Sequence, residues 1–122
     1  MLKPLYNKDC ELIAWIEPGQ NIFDTEMNWL AFIVDGHVWS ADNVNWLGEI
    51  DLLTCFDRNG KVFAWNPDYK VENKRRVFKP LKPFKPLKPL KPLKPLKPLK
   101  PLKPLTPLGG WSKLSLMEWL NQ

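Results

Sequence analysis

Few residues in this chain of 122 have the types and spacing that a catalytic or metal site requires. His37 is the sole histidine, and it follows the turn pair Asp35-Gly36. A lone histidine at the start of a strand is more often structural than a general base. Cys10 and Cys55 lack the spacing of metal ligands, so both are predicted to be reduced side chains. The sequence therefore predicts a protein that is not an enzyme and needs neither a metal nor a cofactor.

Four aspartates that recur along the first half of the chain could be read as a ring of metal ligands. They are Asp9, Asp24, Asp42 and Asp57. Their offsets within the surrounding sequence differ, and aspartate is a common turn residue because its side chain bonds to nearby backbone amides. We interpret the four as turn residues.

An ungapped fourfold repeat contains these turns. Its copies are residues 6–16, 23–33, 40–50 and 56–66, which start 17, 17 and 16 residues apart. A fixed period of this kind indicates a repeat architecture. The first position is aromatic in three copies, and each copy continues with a polar cluster and a short apolar run, a pattern typical of one β-hairpin. The sequence thus predicts four hairpins, with the strongest two-residue hairpin signal at Asn59-Gly60.

The connections between hairpins are predicted to be tight. Pro18-Gly19 and Asp35-Gly36 are good turn pairs, whereas Leu52-Leu53, at the third connection, carries no turn signal.

One column of the repeat holds only small residues, and the neighbouring columns hold most of the aromatic ones. The small column is Ala14, Ala31, Gly48 and Ala64. Small residues suit a close approach of backbones around a central axis, although strand packing within each hairpin is an alternative. The aromatic residues fill the space between hairpins or line grooves for the tract or a partner; the candidates are Trp15, Trp29, Phe32, Trp46 and Trp65. Glu49 interrupts the aromatic pattern, which marks the third hairpin as different.

Several segments resemble a known family. They are the opening Lys3-Pro4-Leu5-Tyr6, residues 21–29, 38–41 and 45–48, a basic proline tract of period three, and the ending at residues 106–112. On these segments the chain is similar to the bacterial fourfold β-flower proteins, over essentially its whole length. The resemblance implies a pseudo-fourfold arrangement of β-hairpins, and it implies no catalytic residues.

The tract, residues 78–108, repeats the triplet Leu/Phe, Lys/Thr, Pro. A proline at every third position excludes an α-helix and a central strand, so the tract is predicted to be a polyproline II helix or disordered. Such a helix has three residues per turn, so it collects apolar side chains on one edge, lysines on a second and prolines on the third. The apolar edge needs cover, which favours packing on an aromatic surface.

Charge and length also favour packing of the tract on the rest of the chain. Residues 1–72, the head, contain five basic and twelve acidic groups, a net charge of −7, and residues 73–122 carry +12. Thirty residues of polyproline II span about 93 Å. A path around a 72-residue head is on the order of 110 Å. We therefore predict that the tract wraps the head, with Phe78, Phe84, Trp111 and Trp119 as anchors.

Other interpretations of the tract stay open. It could be a solvated tail, and a basic tail could bind nucleic acid, an anionic membrane surface or a protein partner. Its spacing of prolines also matches ligands of polyproline-recognition domains, a match that any such repeat makes automatically.

The C-terminal residues predict a short helix. Ser115 and Glu118 have the spacing of a capping box, and Leu116, Trp119 and Leu120 lie on one helix face. So short a helix needs a surface to dock on.

The predicted fold is all-β. It comprises a head of four pseudo-symmetric hairpin repeats (residues 1–72), a basic joint (73–77), the tract (78–108) wrapping the head, and a docking segment with a short helix (109–122). The N-terminus lacks the apolar run of a signal peptide, and no window has enough apolar residues for a membrane span, so we expect a cytoplasmic protein. The expected function is that of a structural or interaction module.

Overall fold

The computed structural model describes residues 1–69, 80–102, 107 and 109–122. Eight antiparallel strands follow one another in chain order in a single sheet. They are β1 (Lys3–Tyr6), β2 (Leu12–Glu17), β3 (Asn21–Phe23), β4 (Trp29–Val34), β5 (His37–Ser40), β6 (Trp46–Asp51), β7 (Thr54–Phe56) and β8 (Val62–Ala64). The helix α1 (Leu116–Leu120) ends the chain. The predicted all-β class is confirmed.

The four predicted hairpins are the pairs β1/β2, β3/β4, β5/β6 and β7/β8. In each, the small residue of the second strand lies opposite a buried residue of the first, and the register shifts directly after that pair. The four pairs are Leu5 with Ala14, Ile22 with Ala31, Val38 with Gly48, and Cys55 with Ala64. A β-bulge at one position in every copy gives each hairpin the same bend.

The third repeat contains one more residue than the ungapped alignment allowed. Trp39 pairs with Trp46, as Tyr6 pairs with Leu12 and Phe23 with Trp29. Six residues separate the two tryptophans, whereas five separate each of the other two pairs. The residue equivalent to Tyr6 is therefore Trp39 and not Ser40, and the first position is aromatic in all four copies. The alignment was wrong here because the extra residue lies within a loop, where an insertion leaves strand pairing intact.

The loops inside the hairpins are held by side chains that accept hydrogen bonds from backbone amides. Asn7 Oδ1 accepts from the amides of Asp9 and Glu11, and Asp24 and Asp57 make the equivalent pairs of bonds in their loops. In the third loop Ser40 Oγ accepts from the Asn45 amide. All four predicted aspartates lie in these loops, with Asp9 and Asp42 inside the turns. The side chain that accepts from the loop amides is Asp24 or Asp57 in two loops, and Asn7 or Ser40 in the other two.

The last-but-one position of these loops is left-handed in every copy. Cys10, Met27, Val44 and Gly60 have φ between 53° and 79°. The Asn59-Gly60 turn is therefore part of a five-residue loop and not a two-residue one. Cys10 and Met27 pack their side chains into aromatic clusters, which compensates for a backbone conformation that suits glycine better.

The connections between hairpins are tight. Asp35-Gly36 forms a two-residue turn with both φ values positive, and Leu52-Leu53 forms another with Leu52 at φ 55°. A leucine in this conformation is unusual, which is why the sequence carried no turn signal there. Tertiary packing decides this turn, since Leu53 is 3% exposed while Leu52 remains 68% exposed.

The sheet is nearly closed into a barrel-like ring. The amide of Tyr6 donates to the Trp65 carbonyl at 2.8 Å, and the amide of Trp65 donates back to Tyr6 at 3.0 Å. This pair joins the end of the last hairpin to the first strand. All four small-column residues are buried inside the ring.

Gly48 shows why one of these positions must be small. A Cβ on Gly48 would lie 2.2 Å from the Phe56 carbonyl oxygen and 2.9 Å from the Asp57 backbone. The close approach at Gly48 is therefore with the neighbouring hairpin, at the end of β7, and not with the other three small residues across an axis.

Residues 80–102 of the tract form neither helix nor strand. Polyproline II geometry stays a prediction, but exposure follows the three-residue period. The prolines are half-buried except for Pro86, whereas the leucines and Phe84 are 92–99% exposed. The expectation that the apolar edge is covered by the head is wrong for these residues. Flat proline rings face inward, because the aromatic side chains that could have formed deep grooves are themselves buried.

Candidate interaction surface

Aromatic clusters occupy three of the four junctions between hairpins. Trp15 packs with Phe23, Phe32 with Trp39 and Trp46, and Trp65 with Tyr6. The predicted groove residues Trp15, Phe32, Trp46 and Trp65 are only 1–6% exposed, so they fill space between hairpins and do not form open grooves. Trp29 is half-buried, touches two of the clusters and remains accessible at the surface.

The junction between the third and fourth hairpins is different, because Glu49 stands where the other copies have an aromatic residue. Arg58 lies there, with its guanidinium 6.0 Å from the Trp46 ring and its Nε donating to the Trp46 carbonyl. Trp46 in turn donates its indole N–H to His37 Nδ1 at 3.2 Å. His37 is thus engaged with a neighbouring side chain, in line with a structural role.

The C-terminal helix docks beside this junction. Trp119 is 1% exposed, stacks on Phe63 with ring centroids 4.5 Å apart, and donates to the Phe56 carbonyl. Gln122 donates to the Leu47 carbonyl and accepts from the Arg58 amide. The predicted capping box at Ser115 is confirmed, since both of its reciprocal bonds are present.

The other predicted anchors have different positions. Trp111 packs against the cluster of Tyr6, Cys10 and Trp65, and its backbone bridges to Val62. Phe84 is 99% exposed, so it is not an anchor on the head; it belongs to the outward-facing edge of the tract. Phe78 lies outside the described residues.

Among the described residues, a cation–π contact, an ion pair and a hydrogen bond connect the tract to the head. The Lys85 ammonium lies 5.5 Å from the centre of the Trp29 ring, and Lys94 Nζ lies 3.3 Å from Glu26 Oε1. The Tyr6 hydroxyl donates to the Leu99 carbonyl at 3.4 Å. Burial raises the pKa of Tyr6, with the charges of Asp68 and Cys10 adding to the effect, so the phenol keeps the proton that this bond requires.

A groove of about 620 Å³ lies between the tract and the first two hairpins. Tyr6 and Trp15 form its apolar wall, and Glu11, Glu26 and three tract lysines form its charged rim. The facing charges are of opposite sign, so they attract each other.

A second opening, of about 370 Å³, lies where the connections between hairpins meet. All three inter-hairpin turns contribute to its lining, together with Ile33, Ile50 and Tyr69. This opening lies at the end of the ring where the turns between hairpins meet, and its lining is mainly apolar.

The ring of four bulged hairpins and the C-terminal segment agree with a known family. The family model described as 4-fold beta flower protein matches residues 3–120. The chain belongs to this family. Comparison with curated proteins returns no match, and neither does comparison with solved structures.

The match covers the β-flower head and extends through the tract to the terminal helix. Within the described part of the chain, no helix is long and apolar enough to cross a membrane. Among those same residues no three histidine, cysteine or acidic side chains lie together as a metal site.

Sequence reasoning missed the head residues that contact the tract, Tyr6 and Glu26. It explained the packing of the tract on the head by aromatic grooves in general and by the net charge of the head. A usable signal was the acidic residue at the centre of the second loop, since loop tips are the positions most accessible to a passing chain.

Proposed function

We propose that this β-flower protein is a non-catalytic interaction module whose proline-rich tract packs on its own acidic head and presents its apolar edge outward. The observation that carries the proposal is the difference in exposure between the proline edge and the leucine edge of the tract. In residues 80–102 every proline except Pro86 is half-buried, and the leucines beside them are more than 90% exposed.

The order of contacts supports a tract that runs around the rim. Lys85 and Lys94 contact the second hairpin, Leu99 contacts the first, and Trp111 bridges to the fourth. The tract therefore passes the hairpins in the reverse of their chain order. It leads to α1, whose Trp119 is part of the main core.

The chemistry of the best nucleophile candidates also supports a non-catalytic role. Cys55 is fully buried, and burial raises the pKa of its thiol to about 12. The thiol therefore keeps its proton at neutral pH, whereas a reactive cysteine requires the thiolate. His37 Nδ1 accepts a hydrogen bond from Trp46, so that nitrogen is occupied.

Backbone ¹⁵N relaxation of the full chain tests the packing, using the leucine and lysine amides of residues 80–102. We expect order parameters near 0.8, as in the strands. Values below about 0.6 throughout the tract would identify it as a free tail and refute the proposal.

A charge reversal sharpens this test. Glu26→Lys should lower the order parameters around Lys94, because it replaces the ion pair with repulsion. Asp9→Lys is the matched control: Asp9 is the third residue of its loop, as Glu26 is in the next, and it has no contact with the described part of the tract. If both variants change the tract equally, the effect comes from the overall charge of the head and not from this contact.

A polyproline-recognition partner is less favoured than the packed module. Such domains contact the proline edge of their ligands, and here that edge faces the head. Binding of that kind would require release of the tract.

A further inference from the structure

The most unusual surface of the molecule is the outward edge of the tract, which we call the outer row. It comprises Leu81, Phe84, Leu87, Leu90, Leu93, Leu96, Leu99 and Leu102, and each is 92–99% exposed. Soluble proteins seldom expose long runs of large apolar side chains, and such surfaces mark interaction sites. The outer row therefore needs a partner.

Lysines accompany the outer row along its whole described length. All seven, from Lys82 to Lys100, are exposed. Within the described residues Lys85 contacts Trp29, and Lys94, Lys97 and Lys100 line the groove against the head. The other three, Lys82, Lys88 and Lys91, remain available to an anionic partner.

The uniformity of the repeat restricts what that partner can be. From Leu87 to Leu102 every step is the same Leu-Lys-Pro triplet, so no side chain fixes a register. A folded protein groove recognises particular side chains at particular positions. A surface that is the same everywhere, and is both apolar and anionic, fits a repeat that is the same everywhere.

Two other partners that present a repetitive surface, a second copy of the chain and nucleic acid, fit the outer row less well. A second copy would bring an identical lysine row against this one, and like charges placed together cost binding energy. Nucleic acid would use the lysines but offers little to a row of leucines, since its apolar contacts are mostly base stacking on aromatic rings. Phe84 is the sole aromatic residue of the outer row.

We propose that the outer row and its lysines bind the surface of an anionic lipid bilayer. Leucine side chains enter the boundary between headgroups and acyl chains, and the lysines bind anionic headgroups. The proposal rests on the packed tract proposed above, which keeps the leucines facing outward.

The curvature of the rim sets the size of the contact. Successive leucines are about 9 Å apart in a polyproline II helix. For a head about 29 Å across and an insertion depth of about 5 Å, a flat bilayer reaches roughly three of them at once. Because the triplets are identical, any three consecutive leucines serve equally well.

Co-sedimentation of the full chain with vesicles tests the proposal. We expect binding to phosphatidylcholine vesicles that contain about 30% phosphatidylglycerol, little binding to phosphatidylcholine alone, and a decrease in binding as salt rises. No binding to the anionic vesicles at low salt would overturn the proposal.

Variants separate the two components of the surface. Leu87→Ser/Leu93→Ser/Leu99→Ser leaves no three consecutive apolar residues in the outer row and should weaken binding at least about tenfold, because interfacial binding scales with buried apolar area. Lys82→Gln/Lys88→Gln/Lys91→Gln leaves in place the lysines that contact the head or line the groove, and should weaken binding by up to about a hundredfold, roughly fivefold per lysine.

Leu52→Ser/Met117→Ser is the matched control. These residues are 68% and 66% exposed and lie outside the tract, so their replacement should leave vesicle binding unchanged. Equal loss in the control and in the triple serine variant would contradict a role for the outer row.

Two further measurements identify the alternatives. Light scattering would detect association between copies, and a fluorescent oligonucleotide would detect nucleic-acid binding. Either activity, if the triple serine variant abolishes it and anionic vesicles do not bind, replaces the bilayer as partner. Relaxation data distinguish the two proposals: an ordered tract without vesicle binding refutes only the membrane proposal, whereas a disordered tract refutes the packed module.

Discussion

Replacing Gly48 tests the close approach between the third and fourth hairpins. Gly48 has φ 142°, a conformation that residues with a side chain rarely adopt. An alanine Cβ at this position would lie 2.2 Å from the Phe56 carbonyl oxygen and 2.9 Å from two backbone atoms of Asp57. All three are backbone atoms, so no flexible side chain can move aside.

Two costs combine in Gly48→Ala. The backbone strain is about 1–3 kcal/mol for a residue forced into a glycine-only region. Separation of β6 and β7 adds about 1–3 kcal/mol, as in other overpacked cores. The sum, about 2–6 kcal/mol, is a large part of the roughly 5–15 kcal/mol that stabilises an ordinary domain.

Gly19→Ala is the matched control, because Gly19 also has a positive φ of 74° but nothing lies within 4 Å of its added Cβ. It should lose only about 1–2 kcal/mol, the cost of a left-handed alanine. Urea unfolding followed by tryptophan fluorescence measures both variants. If Gly48→Ala is no less stable than Gly19→Ala, the close approach does not constrain the fold and our account of the small column fails.

Four further changes each test a single feature of the structure. Trp119→Ala should lower the free energy of unfolding by about 3–5 kcal/mol, measured by urea denaturation, because it removes a fully buried ring. Asp57→Ala should cost about 1–3 kcal/mol by the same measurement and Asp57→Asn less, since asparagine keeps an oxygen for the two loop amides. Leu52→Asn should raise the denaturation midpoint slightly, because asparagine tolerates the left-handed conformation of this exposed turn. Burial raises the pKa of Cys55 from 9.0 to about 12, so the folded state retains a proton that the unfolded chain loses. The contribution of Cys55 to the free energy of unfolding is therefore complete below pH 9 and is lost as pH rises toward 12, by up to about 1.4 kcal/mol per pH unit. Cys55→Ala should lack this part of the pH dependence.

The hairpins could be predicted from sequence because their information is local. Turn residues, short apolar runs and a repeat of 16 or 17 residues are all visible in the chain. The inserted residue in the third loop could not be assigned, because Ser40 follows Trp39 directly and either can be aligned with Tyr6. Strand pairing, which is a tertiary property, selects Trp39.

The candidate surface was harder to predict than the hairpins. The period of the tract correctly separates leucines, lysines and prolines onto three edges, and the exposure pattern has that period. Which edge faces the head depends on whether the head offers deep grooves. Most of the tryptophans of the head fill the junctions between hairpins, so they do not form open aromatic grooves for the leucines of the tract.

By itself, the sequence determined the repeat, the strand content, the capped terminal helix and the separation of charge between head and tract. These depend on the order of residue types along a few turns of chain. Only the tertiary structure decided the closure of the ring between Tyr6 and Trp65, the turn at Leu52, the contact that requires Gly48 and the outward direction of the leucines. Each of these depends on what another part of the chain places within a few ångströms, and no local pattern encodes that distance.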